Sequence, residues 1–290
     1  METLPTTSDD HWGEDDNARR YDAYARAYPS YRETSRDLIA LALPSDDAGV
    51  ADAAVLDLAC GTGATTREIL SMLGPDGRVT AVDKSAAMLT MAAKSTADAR
   101  VTWILARAES VDQHVTEPVD AAICNSAIWQ TDFAATATAV RAVLKPGSVF
   151  AFNVPVRFLD DADGHRPQDR YPPLLSEMRA IAERDYGWAP DDRAPRLPRQ
   201  RLTRDSICRA LVAAGYDVEQ VADVTHQDSA ASQRAWLSIP IFTRDRLARL
   251  PYEDRMRVLD KAYERLGPGQ TEQARWVTFA ARSSPQIIRS

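Results

Sequence analysis

The chain has 290 residues, enough for one large domain with insertions that buries a full core without a disulfide or a metal. It carries 42 acidic and 35 basic side chains, a net charge of -7, and 44% of its residues are hydrophobic, as in an ordinary acidic globular enzyme. This charge opposes sequence-independent binding of nucleic acid, so we expect no nucleic-acid partner.

The cysteines and the N-terminus indicate in which compartment the protein works and whether it needs disulfides or a metal. Cys60, Cys124 and Cys208 are widely separated and show neither the pairing of a disulfide framework nor the spacing of zinc ligands. The N-terminus is acidic, where a signal peptide has a basic and then an apolar segment, and no apolar run reaches membrane-spanning length. We therefore expect a cytoplasmic protein with no metal centre and no membrane contact.

The first half of the chain alternates between predicted strands and helices. Residues 1–16 are polar and are expected to be flexible, and two helices follow, the second starting at a capping box of Ser30 and Glu33. A second capping box, of Thr65 and Glu68, and an N-cap at Ser85 mark two later helices. The predicted strands are 54–58, 78–82, 101–105, 119–124 and 148–154.

The second half is less regular. A helix is expected at 174–186 within an insertion, another at 206–214, and two further strands at 216–224 and 275–281 on either side of a helical excursion over 231–266. The resulting division is a flexible N-terminus at 1–16, a helical lid at 17–45, a core at 50–155, a cap at 156–202, a core continuation at 203–225, a helical insertion at 226–272, and the last strand and tail at 273–290.

This alternation predicts an α/β fold of the Rossmann-like kind. Strands linked through helices form a parallel sheet with helices on both faces. Right-handed crossovers place the carboxyl ends of the strands at one edge, where the ligands of such sheets bind. We expect the N-terminal helices and the insertions to cover that edge as a lid and a cap.

The most specific motif is the stretch Val55–Gly63, a strand that contains Asp57 and runs into the turn Cys60-Gly61-Thr62-Gly63. Its two glycines let the backbone approach a ligand closely, although a lone Gly-x-Gly also makes ordinary strand-to-helix turns. Asp83 ends the second strand twenty positions after Gly63, where a carboxylate accepts two hydrogen bonds from a ribose diol. The alternative for Asp83 is a role at the start of its own helix.

The chemistry of the turn selects among nucleoside ligands. Thr66 stands where a dinucleotide fingerprint has its third glycine, and no Gly-Lys-Ser/Thr phosphate loop occurs. Asp57 suits a ligand with a cationic amine, while backbone N–H groups suit its carboxylate. This describes the methionine half of S-adenosylmethionine. The alternatives are an NAD(P)-dependent oxidoreductase and a protein that keeps the cofactor for a non-methylating reaction or for binding alone.

The stretch Val55–Gly63, Asp83, Ala108-Glu109 and Leu144-Lys145-Pro146-Gly147 resemble the pattern of class I S-adenosylmethionine-dependent methyltransferases of the small-molecule type, over roughly residues 50–155 with weaker support to Val224. The resemblance implies a seven-stranded sheet with an antiparallel last strand, S-adenosyl-L-methionine as cofactor and S-adenosyl-L-homocysteine as product. The turn residues that it places at the cofactor are Asp57, Ala59, Gly61, Thr62 and Gly63.

The same resemblance assigns the rest of the cofactor site. It places Asp83 on the ribose hydroxyls, Lys84 or Met88 near the adenine, and Ala108 against the adenine ring. Arg107 stands where many relatives have an acid that accepts from the adenine amino group, so Glu109 or a backbone carbonyl takes over that contact.

Aromatic and polar residues at two further places complete the prediction. The run Tyr21-Asp22-Ala23-Tyr24, with Tyr28 and Tyr31, resembles the lid helices of small-molecule methyltransferases, and Tyr21 and Tyr31 are the candidate cofactor contacts, with plain packing as the alternative. After the fourth strand, Asn125 is a candidate for the cofactor's amino acid part. Trp129 and Gln130 line the acceptor pocket or pack the loop.

Methyl transfer to a small molecule needs little from catalytic side chains. It is an in-line displacement at a sulfonium, so positioning dominates and no base is obligatory. His11, His165 and His226 are the candidate bases, each with a solvated loop histidine as the alternative, and Cys60 is better explained by packing of the turn than as a nucleophile. The expected acceptor is a small organic molecule such as a secondary metabolite, and a homodimer is left open.

Overall fold

The computed structural model describes residues 15–43, 50–160, 173–189, 202–244, 246–267 and 269–284. Strands β1 to β7 form one sheet and are Ala54–Leu58, Arg78–Asp83, Val101–Leu105, Val119–Cys124, Leu144–Pro155, Tyr216–Ser229 and Thr271–Ser283. Their order across the sheet is β3-β2-β1-β4-β5-β7-β6. The first five strands pair in parallel and β7 is antiparallel to both of its neighbours, so the predicted fold class is confirmed.

Helices cover both faces of this sheet and build the lid and the cap. Helices α1 to α10 are Asp15–Ala27, Ser30–Ala42, Ala64–Met72, Ala86–Ser95, Phe133–Val143, Pro173–Tyr186, Arg204–Ala213, Ala230–Leu237, Pro240–Arg244 and Tyr252–Leu266. Short 3₁₀ segments follow β3, β4 and β5 at Ala108–Gln113, Ile128–Gln130 and Val156–Phe158. Among the described helices, none has the length and apolar character to cross a membrane.

Both predicted capping boxes are wrong. Ser30 is the first residue of α2, whose N-cap position is held by Pro29 without a side-chain hydrogen bond. Thr65 lies inside α3. This helix starts directly after Gly63, whose backbone has a left-handed conformation. The glycine turn therefore ends directly in the helix, which a pattern search for capping side chains cannot detect. Ser85 does cap α4, since its hydroxyl accepts from the backbone N–H of Met88.

Three strands are several residues longer than their apolar patterns indicated, and β2 is longer by one residue. β5 begins at Leu144, ahead of the expected turn, and pairs there with Val119 across an irregularity. β6 and β7 pair as far as Ser229 and Thr271, beyond the predicted ends at residues 224 and 275. Alternate residues of this extension, such as Thr225 and Gln227, are exposed. A hairpin arm with so few buried residues leaves no hydrophobic signal in the sequence.

The buried side chains fall into three clusters. One lies between the sheet and α5 and α7, with Phe133 and Ile207 fully buried, and another lies under α2 and α3, around Leu38 and Ile69. The third belongs to the cap, where α6, α8 and α10 pack around Met178. The cap therefore has a hydrophobic core separate from that of the sheet.

Candidate active site

The turn after β1 is held in an unusual backbone conformation. Ala59, Gly61 and Gly63 all have positive φ, of 55°, 55° and 78°. The N–H of Gly63 donates to the Cys60 carbonyl over 2.9 Å. A Cβ atom at Gly63 would lie 3.1 Å from the Trp103 ring as well as in a strained backbone region, so glycine is favoured there. The turn presents its backbone at the carboxyl end of β1.

Asp83 fixes this turn from the neighbouring strand. One carboxylate oxygen accepts from the N–H of Gly61 and the other from the N–H of Ser85, each over 2.8 Å. The side chain is 9% exposed. Asp83 thus supports the start of α4, which is the alternative role that the sequence left open. It also lies against the glycine turn. A carboxylate oxygen has two lone pairs, so a carboxylate beside the turn suits the hydroxyls of a ribose.

Asp57 is a second buried carboxylate beside the turn. It is 1% exposed and accepts from the Thr66 hydroxyl over 2.6 Å. Burial raises its pKa to about 7, and the charge of Asp83 contributes to this shift. Burial, followed by the charges of Asp57 and Asp83, also raises the pKa values of the Cys60 and Cys124 thiols. The carboxylates therefore make this edge electronegative, which favours a cationic ligand and opposes a cysteine nucleophile.

One of the lid tyrosines, Tyr21, lies against the same turn, and Tyr31 packs beside it. The Tyr21 ring approaches Gly61, whose Cβ, if built, would lie 3.8 Å from Cε1. Its ring centroid is 5.3 Å from that of Tyr31. Burial raises the pKa of Tyr21 well above its usual value, and Tyr31 and Asp83 contribute. Tyr24 instead reaches the cap, where its hydroxyl lies 3.1 Å from that of Ser232.

The residues predicted at the adenine occupy the ends of β2 and β3. Met88 is buried in the first turn of α4, Ala108 is buried after β3, and Lys84 and Arg107 are exposed. Arg107 forms an ion pair with Glu109 at 3.4 Å. Glu109 also accepts from the N–H of residue 132 over 2.9 Å, so it supports the start of α5. Its role as a substitute adenine contact stays a prediction.

Thr62, between the two glycines of the turn, supports the loop. It is fully buried, and its carbonyl accepts from the Arg67 guanidinium over 2.9 Å. Arg67 also lies 3.5 Å from Asp22 of α1. The turn is thereby tied both to α3 and to the lid.

Asn125 does not point freely into a cavity. Its amide nitrogen lies 3.0 Å from the Ser35 hydroxyl and 3.1 Å from the Thr34 hydroxyl, both on α2. Its amide oxygen accepts from the Nδ2 of Asn153 over 2.9 Å. Asn153 was not singled out from the sequence, although an amide inside the apolar strand Val149–Val154 is a usable signal.

Aromatic residues join the sheet edge to the cap. Trp129, after β4, stacks on Phe158, after β5, with centroids 4.5 Å apart. The Arg157 guanidinium lies 4.8 Å from the centroid of Phe158 and 5.1 Å from that of Trp236 on α8. Gln130 is exposed. These rings and the guanidinium form a boundary between the core of the sheet and the core of the cap. We call this boundary, made of Trp129, Arg157, Phe158 and Trp236, the seam.

His226 lies within β6, so its predicted position in a lid or insertion segment is wrong. Its Nε2 is 2.6 Å from Asp37 and its Nδ1 is 3.5 Å from Glu33, so both ring nitrogens face carboxylates of α2. His11 and His165 lie outside the described residues. Within the described ranges, no group of three or more His, Cys, Asp or Glu side chains is arranged to hold a metal ion.

Comparison with known proteins identifies the type of domain that contains the glycine turn. Residues 55–147 match the family model described as a methyltransferase domain. The [4+2]-cyclase SpnF is similar in structure with a TM-score of 0.57 and 16% identity, over 98% of this chain and 99% of that one. A sequence search finds no match among curated proteins.

Two further similar structures are of geranyl diphosphate methyltransferases. One is the C-methyltransferase from Streptomyces coelicolor A3(2), in complex with Mg²⁺, geranyl diphosphate and S-adenosyl-L-homocysteine, with a TM-score of 0.50 and 15% identity over 87% of this chain and 78% of that one. The other is in complex with geranyl diphosphate and sinefungin, with a TM-score of 0.50 and 14% identity over 87% and 77% of the two chains. At these identities the likeness concerns the fold.

Proposed function

We propose that this chain methylates a small organic molecule bound between the sheet edge and the cap. The chain is an S-adenosylmethionine-dependent enzyme with a class I methyltransferase domain at residues 55–147. We further propose that this acceptor is a secondary metabolite. The observation that carries the proposal is the pair of buried carboxylates, Asp57 and Asp83, on either side of the glycine turn.

The electronegative edge fits S-adenosylmethionine better than a dinucleotide. The cofactor carries a sulfonium and an ammonium, both of which are stabilised next to buried carboxylates. A pyrophosphate at the same place would repel Asp57 and Asp83, and Thr66 occupies the position of the third glycine. We assign Asp57 to the ammonium, Asp83 to the ribose hydroxyls, and the N–H groups of the turn to the cofactor carboxylate.

The protein's part in the reaction is to position the acceptor. The bound cofactor supplies an electrophilic methyl group and a neutral thioether leaving group. The turn and the lid tyrosines hold one side of the site, while Trp129 and the seam offer apolar faces on the other. Holding an acceptor in line at such a site accounts for acceleration without an obligatory base.

The contact between the cap and the sheet edge and the charge of the chain favour a small acceptor. The cap contributes its own core and meets the sheet edge at Trp236, so an acceptor at the seam has protein on two sides. The net charge of -7 opposes the phosphate backbone of RNA or DNA. Both features support a compact organic acceptor.

The cofactor assignment is tested by titration calorimetry with S-adenosylhomocysteine, NADH and NADPH. We expect only S-adenosylhomocysteine to bind. Asp83→Ala should weaken this binding by about 1 to 3 kcal/mol, the worth of the ribose hydrogen bonds. The exposed Asp112 on the loop after β3 provides the control, since Asp112→Ala should bind like the wild type. Binding of NADH in place of S-adenosylhomocysteine would overturn the assignment.

The acceptor class is tested with methyl-labelled S-adenosylmethionine and a cell extract of the source organism, separated into small molecules, protein and nucleic acid. Label should enter the small-molecule fraction. Label in protein or nucleic acid would contradict the proposed acceptor class. Tight cofactor binding without transfer to any fraction would favour the non-methylating alternative.

A further inference from the structure

We propose that Asn153, near the carboxyl end of β5, is a positioning residue that docks the lid helix α2 onto the cofactor site by setting the direction of the Asn125 amide. The proposal rests on the function proposed above, because α2 carries Tyr31, one of the two tyrosines assigned to the cofactor. Asn153 itself is 1% exposed and touches no part of the glycine turn in the described contacts. Its effect must therefore act through its neighbours.

Hydrogen bonds of Asn153 leave one orientation for Asn125. The Asn153 amide oxygen accepts from the N–H of Ser126 over 2.6 Å and faces its hydroxyl at 3.3 Å. Its amide nitrogen is then left to donate, and it does so to the Asn125 oxygen over 2.9 Å. Because that oxygen faces β5, the NH₂ group of Asn125 must face the opposite way, towards α2.

The Asn125 NH₂ group meets several oxygens of α2. Besides the hydroxyls of Ser35 and Thr34, the Tyr31 carbonyl lies 3.3 Å away. The Thr65 hydroxyl of α3 is 3.4 Å away. A carbonyl can only accept, so an inverted Asn125 amide would place two acceptors against each other at Tyr31. The direction of the Asn125 amide thus decides whether its hydrogen bonds to α2 can form.

The backbone of Ser126 shows that neighbouring side chains hold the loop after β4 in place. It has a φ of 55°, a left-handed conformation that a residue with a Cβ adopts only when the surroundings impose it. Asn153 binds its N–H, and the Trp276 indole donates to its hydroxyl over 3.1 Å. Strained residues of this kind cluster at functional sites, and Ala59 in the glycine turn is another.

Two substitutions separate this role from general stability. Asn153→Ala removes both the donor to Asn125 and the acceptor for Ser126, and we expect it to bind S-adenosylhomocysteine about tenfold or more weakly at any pH. Asn153→Asp keeps the acceptor for Ser126 but, when ionised, places a second oxygen against the Asn125 oxygen. When protonated, the acid donates in place of the lost NH₂ group.

The Asp variant therefore carries a pH signature. Asn153 is 1% exposed, and burial raises the pKa of a carboxyl at such a position above its ordinary value of about 3.9. Relative to the wild type at the same pH, Asn153→Asp should therefore bind S-adenosylhomocysteine about tenfold more weakly near pH 8 and within about threefold near pH 5.5. Thr278→Val is the matched control, because Thr278 is the β7 partner of Asn153, is equally buried, and donates only to the Ala222 carbonyl in the described contacts. It should bind like the wild type.

Hydrogen exchange of the ligand-free protein tests the docking without the cofactor. The amides of α2 should exchange faster in Asn153→Ala than in the wild type and in Thr278→Val. Unchanged exchange and an affinity within about twofold of the wild type for Asn153→Ala would overturn the proposal, as would an equal loss of affinity for Asn153→Asp at both pH values. If the wild type binds no S-adenosylhomocysteine, the proposed function fails, while α2 exchange still decides the docking role.

Discussion

A buried carboxylate with a raised pKa costs stability when it must ionise, and Asp57 is in this position. Its pKa is raised by burial from the usual value of 3.8 to about 7. Well below pH 3.8 the group is protonated in both the folded and the unfolded chain, so it has no effect. As the pH rises towards 7, the unfolded chain releases the proton and the folded chain keeps it, so the free energy of unfolding falls.

We therefore expect Asp57→Asn to raise the melting temperature near pH 8 and to have a smaller effect near pH 5. The Asn oxygen still accepts from Thr66, whose hydroxyl lies 2.6 Å from the present carboxylate. The variant thus removes the charge and keeps an acceptor for the Thr66 hydroxyl. Thermal unfolding followed by circular dichroism at both pH values measures the difference. An equal shift at the two pH values would show that the carboxylate charge is not its cause.

At the level of elements, helix α1 connects the cofactor site to the rest of the molecule. It contacts α3 and α4 beside the sheet edge and α8 in the cap. Tyr21 lies against the glycine turn, whereas Tyr28, just after the helix, stacks on Tyr24 with ring centroids 5.3 Å apart. The two tyrosines therefore differ in what they contact, although both come from the same aromatic pattern.

This difference gives a direct test of the lid. Tyr21→Ala should weaken S-adenosylhomocysteine binding by about two- to tenfold, the worth of one aromatic contact, while Tyr28→Ala should leave it close to the wild-type value. Titration calorimetry at one pH compares the two variants. Equal affinities for both would mean that the tyrosine pattern serves packing alone.

The bounds of a strand can be predicted from the sequence only when the residues that fix them are close together in the chain. β1, β3 and β4 have the predicted bounds, because each is a short apolar run between turn residues. The end of β6 depends on pairing with β7, a contact between residues far apart in the chain. Local patterns do not contain that information.

The same distinction applies to the candidate site. The positions of Gly61, Gly63 and Asp83 follow from the motif, since a strand, its turn and the next strand are local features. The role proposed for Asn153 depends on Asn125, just after β4, and on a helix more than a hundred residues earlier, so it becomes visible only in the folded chain. His226 likewise meets Asp37 through tertiary contact alone.

At the scale of the whole molecule, the cap has its own hydrophobic core. Its cluster joins residues of α6 to residues of α8 and α10 and is distinct from the two clusters that pack on the sheet. Where the cap meets the sheet, at the seam, the described contacts include cation and ring pairs such as Arg157 with Trp236. Segments with separate cores open with separate free energies, so we expect the cap to loosen before the sheet does.

This expectation is tested by a cavity in each core. Met178→Ala in α6 and Ile69→Ala in α3 both empty a fully buried position, at a cost of about 2 to 5 kcal/mol each. In hydrogen exchange, Met178→Ala should speed exchange in α6 and α10 and leave β1 and β4 unchanged, and S-adenosylhomocysteine should still bind. Ile69→Ala should loosen the cofactor edge and weaken binding. If Met178→Ala instead speeds exchange in the central strands to the same degree, the cap and the sheet unfold as one unit, and the acceptor site at the seam cannot open independently of the cofactor site.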